Sequence, residues 1–205
     1  MGRVALLAVL AAVAPPGFRT HAVANAGLRV DLPIGWQTLT QRDATFPGAR
    51  QILTRLSPRF GLPLRELAMP DSPLKLFAFD RRFHGHPTTV MVVQEQTARS
   101  GAYNTWAPRM AAALRHAPGI RGVLRTHGVD LPSGSALWAS YRTTDRDTVV
   151  VYLVGAGRNG IWALLLRTPT TRAVRDGRSF ARMAHSLELR TPAGGPYGVP
   201  RPPGS

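Results

Sequence analysis

The chain of 205 residues contains no cysteine and a single lysine, Lys75. Without cysteine there is no disulfide framework, no thiolate chemistry and no N-terminal cysteine to carry a lipid, so no lipid anchor is expected. The absence is compatible with either redox compartment. Acidic residues are also scarce, 11 against 26 basic ones. So few scattered carboxylates single out no acid pair of the kind glycoside hydrolysis needs. No apolar stretch reaches the roughly 20 residues of a membrane span. Serine nucleophile elbows are missing: Ser133-Gly134-Ser135 lies in a turn, outside a G-x-S-x-G frame. No P-loop or zinc pattern occurs.

What remains is an arginine-rich chain with enough apolar residues, 44%, for one core. Its 25 arginines and formal charge of +15 favour anionic surfaces. The lopsided ratio of arginine to lysine points to GC-rich coding. The arginines are scattered, with no run longer than Arg81-Arg82. Nucleic-acid binders cluster charge and interleave aromatics, so no specific nucleic-acid partner is expected.

Residues 148–189 organise the chain. Val149 to Val154 and Ile161 to Leu166 are apolar without alternation, the pattern of strands covered on both faces. Asn159-Gly160 between them reads as a hairpin turn. The same turn spells Gly155-x-Gly157-x-x-Gly160, a dinucleotide fingerprint, but that motif needs a helix to open at its third glycine. The apolar run after Gly160 ends at Thr168-Pro169, too short for one. A helix follows, with Thr170 or Thr171 as cap and Ala173, Val174, Phe180, Ala181, Ala184 and Leu187 on one face. Gly177 falls on that face, consistent with close approach to the sheet. Arg172, Arg175, Arg178 and Arg182 read as a solvated face.

The N-terminus has the parts of a secretory signal peptide over residues 1–26: Arg3, an apolar run over 4–14, and Ala24-Asn25-Ala26 as an A-x-A cleavage site; the alternative is an uncleaved N-terminal segment or a start codon placed wrongly. Cutting there removes Arg3 and Arg19, taking +15 to +13. A single domain over 27–190 follows, then a tail over 191–205 with five prolines and four glycines. Within the domain, Leu28 to Leu32 alternates as a first strand before the Pro33-Ile34-Gly35-Trp36 turn. Short helical turns are expected around Ile52 to Leu56 and Leu62 to Met69. Strands are expected near 74–79, 88–96, 120–131 and 136–143, with a helix over about 107–116 capped by Asn104 or Thr105.

Four candidates for chemistry each carry a plainer reading. His84-Gly85-His86 could place two imidazoles toward a metal, but two ligands do not make a site, so it reads as an exposed loop. Asp145 and Asp147 read as a charged hairpin tip. His185 reads as a packed or rim histidine. Trp36, Trp106, Trp138 and Trp162 could line a ligand groove, though core packing suits tryptophan better. No catalytic, metal or cofactor residue is assigned, and the ligand-binding residues stay unknown.

GLRVDLPIGW, TTVMVVQEQ, VVVYLVGAGRNGIWALLLRTP and FARMAHSLEL, taken together over about residues 27–190, resemble the Mog1/PsbP-like proteins, and within them the actinobacterial secreted LpqN-type branch. The resemblance implies an α+β fold, an antiparallel sheet with helices packed on both faces. It also implies a secreted, non-catalytic accessory role in the cell envelope, with a protein partner or an apolar or anionic lipid or polymer as ligand. The absent lipidated cysteine and the Pro/Gly tail depart from that pattern. The alternatives are a small extracytoplasmic hydrolase pairing His185 or His84 with a carboxylate, and a purely electrostatic binder of acidic lipid or polymer.

Overall fold

The computed structural model describes residues 17–45, 60–82, 86–95, 102–117, 119–155 and 160–189. In chain order these form β1 (Phe18–Val23), β2 (Leu28–Pro33), β3 (Trp36–Leu39), α1 (Gln41–Ala44), α2 (Gly61–Leu67), β4 (Leu74–Asp80), β5 (Thr89–Glu95), α3 (Tyr103–Arg115), β6 (Ile120–Leu131), β7 (Gly134–Thr143), β8 (Asp147–Gly155), β9 (Ile161–Pro169), α4 (Ala173–His185) and β10 (Glu188–Leu189). The turn 156–159, the Ile52 to Leu56 stretch, His84 and the tail lie outside the described residues.

β8 and β9 pair antiparallel from Asp147↔Pro169 to Gly155↔Ile161, and Ile161 opens a strand. The helix that a dinucleotide loop requires is therefore absent from that position. The two strands sit inside a seven-stranded antiparallel sheet, order β3-β4-β5-β9-β8-β7-β6. Their missing alternation follows, because both faces are covered. Trp162, Leu164 and Leu166 enter one core and Ile161, Ala163 and Leu165 the opposite one.

The first face carries α4 and a second, three-stranded sheet, order β1-β2-β10. Phe180 of α4 is fully buried, its ring 5.3 Å from Tyr152. On the opposite face, α2 covers β4 through Phe60, Leu64 and Leu67, with Phe60 4.7 Å from Phe79. α3 covers β7 and β8 through Trp106, Ala107 and Ala111. Tyr103 lies against Gly128, where a Cβ would meet its Oη at 2.9 Å; a side chain there would require the tip of the Tyr103 ring to shift. The architecture is α+β, an antiparallel sheet with helices on both faces.

Several local readings change. β1 occupies residues taken as signal peptide, pairing with β2 along its whole length. No threonine side chain caps α4; a 3-10 turn, Thr170–Arg172, leads into it and Thr170 Oγ1 donates to the Arg146 carbonyl instead. Val174 is 81% exposed, and Met183 takes a core place that the helical pattern did not mark. Arg178 and Arg182 are exposed, while Arg172 donates to the His86 carbonyl. Gly177 makes no close approach: a Cβ there meets nothing within 4 Å. Gly177→Ala is therefore expected to stabilise the protein by about 1 kcal/mol, the helix-propensity difference alone. A urea unfolding curve checks it; a loss of stability would show that glycine is needed.

Candidate functional site

The chemistry of this chain gathers where β5, β8 and β9 end near the β7–β8 turn. Asp147 opens β8 with its carboxylate fully buried. A buried charge needs partners, and two side chains supply them. His86 Nε2 donates to Asp147 Oδ1 at 2.5 Å, and Arg167 Nε donates to Oδ2 at 2.6 Å. Arg167 also reaches Asp145 Oδ2 at 2.6 Å. Burial alone would raise the Asp147 pKa, but the hydrogen bond and charge of Arg167, then those of His86, outweigh it and hold the carboxyl below its ordinary value. Asp147 is thus a buried ion-pair centre, correcting its reading as a hairpin tip; Asp145, 56% exposed, fits that reading. His86 is likewise an anchored residue, correcting the exposed-loop reading.

On α4, Asp176 Oδ2 accepts from the hydroxyls of Thr88 and Thr168, each at 2.6 Å. Burial pushes this carboxyl up, and the two hydroxyls with Arg175 push it lower than the ordinary value on balance. An Asp depressed in the fold contributes stability that is present above its unfolded pKa of about 3.9 and is lost as pH falls through the folded value. Asp176→Asn is therefore expected to flatten the decline in stability between about pH 4 and pH 2. Unfolding curves across that range check it; equal declines in both proteins would refute it.

Outside this network opens a cleft of about 710 Å³ lined by His86, Arg121, Arg142 to Arg146 and Pro169 to Thr171. Its walls are tied together by the backbone. Thr144 N donates to Gly119 O, Arg146 N to Thr143 O and Thr170 N to Arg146 O, each at 3.2 Å. Arg146 holds a left-handed φ of 62°, uncommon for a residue with a side chain. Arg121 and Arg142 stand directly opposite across the β6–β7 ladder. Like charges in that position destabilise a sheet. Among the described residues Arg121, Arg142 and Arg146 form no ion pair, and the cleft's one carboxylate, Asp145, is held by Arg167. The Thr143 hydroxyl, also in the lining, is buried without a hydrogen-bond partner. The lining thus holds three guanidinium groups without ion pairs among the described residues, charge that an anion would neutralise.

A larger cavity, about 990 Å³, lies elsewhere, lined by residues 22–26, the start of α1 and Lys75. Two of its polar side chains are already used. Lys75 Nζ donates to Ser72 O at 2.6 Å, and Gln41 Nε2 donates to Met69 O and Pro70 O.

The other candidates fall apart. His185 is exposed and donates through Nδ1 to Ala181 O at 2.8 Å, and among the described residues it forms no ion pair with a carboxylate. Among the described residues no group of three His, Asp or Glu could hold a metal. Trp106 and Trp162 are core, Trp138 stacks on His127 at 4.4 Å, and Trp36 borders a pocket of about 200 Å³ beside Asp80 and Arg82. None lines the arginine cleft. Sequence reasoning missed Arg121, Arg142, Arg146 and the His86–Asp147–Arg167 chain. Only the overall charge pointed that way, since the register that brings these residues together is tertiary.

No helix of the described residues is long and apolar enough to cross a membrane. No family model and no curated protein matches the chain. Among solved structures it is similar to the solution structure of cyanobacterial PsbP (CyanoP) from Synechocystis sp. PCC 6803, with a TM-score of 0.49 and 14% identity over 90% of this chain and 99% of that one. The antiparallel α+β architecture stands on the strand pairing itself.

Proposed function

We propose that the protein is a non-catalytic, extracytoplasmic member of the LpqN-type branch that binds a phosphate- or carboxylate-bearing envelope molecule in the arginine cleft. The observation that carries the reading is the cross-strand pair Arg121 and Arg142, set opposite each other and joined by Arg146 around one cleft. Two guanidinium groups facing across a ladder repel, and a bridging anion converts that repulsion into charge-assisted hydrogen bonds. The export part of the reading rests on Arg3 and the apolar run over 4–14.

The His86–Asp147 pair is the one observation that favours a hydrolase, since an imidazole oriented by a carboxylate is half of a nucleophile-activating arrangement. Asp147 is shared with Arg167, however, and the hydroxyls in the cleft lining are threonines of the turn and of the approach to α4. A structural role for the pair, neutralising a buried carboxylate, accounts for the geometry.

One experiment separates the readings. Inorganic polyphosphate and phosphatidylglycerol vesicles are titrated into wild type and into the Arg121→Gln/Arg142→Gln variant at low and high salt. Loss of charged hydrogen bonds worth about 1.5–3 kcal/mol should weaken binding by about 10- to 100-fold and reduce the salt dependence. Unchanged affinity would reject the cleft as the site. Release of inorganic phosphate from the polyphosphate that is lost in His86→Asn would instead establish the hydrolase.

A further inference from the structure

The tripeptide that looks most like a processing site is the inside of a hairpin. Ala24–Ala26 forms a 3-10 turn that closes on Gly27, whose N–H bonds the Ala24 carbonyl at 3.1 Å with a left-handed φ of 62°. This turn joins β1 to β2, and the two strands pair over six positions, from Phe18↔Pro33 to Val23↔Leu28. The contacts go beyond the ladder. Thr20 Oγ1 donates to Asp31 Oδ1 at 2.6 Å, and Gly17 O accepts from Ile34 N at 2.9 Å. Val23 and Ala26 are 8% and 7% exposed inside the main core, and Phe18 packs against it.

We infer that residues 18–26 belong to the working domain, and that any proteolytic maturation falls on the N-terminal side of Phe18. A cut after Ala26 would leave β2 paired only with the two residues of β10. The edge of β2 now covered by β1, six residues long, would be left open with its alternate N–H and C=O groups unpaired, the condition that promotes aggregation. The same cut would remove Phe18, Val23 and Ala26 from the core and strip one wall from the 990 Å³ cavity. Small residues suit a tight turn as well as a peptidase, so Ala-x-Ala is ambiguous where a turn is expected.

The test is the N-terminus of the full chain expressed in an actinobacterial secretion host with a C-terminal tag. Intact mass is read on protein recovered from culture fluid and from cells. The retained segment predicts folded protein that begins at or before Phe18 in whichever fraction it is found. Limited subtilisin digestion of the same protein should give a resistant core that also includes Phe18. A product or core beginning at Gly27 overturns the inference. Full-length protein confined to cells would support it while removing the export part of the proposed function, so the two fail separately.

Discussion

Asp147→Asn is expected to destabilise the protein by about 3 kcal/mol, read as a lower urea midpoint with an unchanged slope. The reason is what the substitution leaves behind. The carboxylate is fully buried and accepts from both His86 and Arg167. Neutralising it strands a half-buried guanidinium, and breaking a buried pair from one side costs about 3–5 kcal/mol. Arg167 keeps Asp145 and some contact with water, which places the effect at the lower end. Asp145→Asn is the control. Its carboxylate is mostly exposed, so its loss should cost under about 1 kcal/mol. Equal, small effects from both substitutions would show that the network is ornamental to the fold. The Asp147→Asn variant should also bind polyphosphate less well, because the β7–β8 turn that carries Arg146 ends at this residue.

Phe180→Ala is expected to cost about 4 kcal/mol, the middle of the range for emptying a fully buried phenyl site. Phe180 is the main apolar anchor of α4 on the sheet, with Met183 and Ala184 beside it and Tyr152 beneath. α4 also contacts β2, so the cavity would open between the sheet and the second, smaller one. Val174→Ala, one helix face away and 81% exposed, should stay within about 0.5 kcal/mol. Comparable losses at 174 and 180 would mean that α4 presents a different face to the sheet. Denaturation followed by tryptophan fluorescence suits the measurement, since Trp162 lies in the same core.

Local composition and spacing decided much of this protein. The unalternating runs over 149–154 and 161–166 meant strands covered on both faces, because a side buried in protein tolerates no polar residue without a partner. The short run after Gly160 meant a hairpin rather than a nucleotide loop. Missing cysteine closed off whole classes of chemistry, and the arginine excess set a net charge that favours anionic surfaces. Tertiary structure alone decided the rest. Arg121 and Arg142 are distant in sequence and meet only through the β6–β7 register. His86 and Asp147 are separated by 61 positions and meet through the packing of the sheet. Asp147 looked like a turn residue because turn chemistry and a buried ion pair use the same side chain; only its burial tells them apart. The segment 18–26 reads two ways for the same kind of reason, since a small-residue turn and a peptidase site are identical as text and differ only in what the preceding strand pairs with. Sequence carries local preference and periodicity, while charge placement depends on contacts between distant residues that no local window contains.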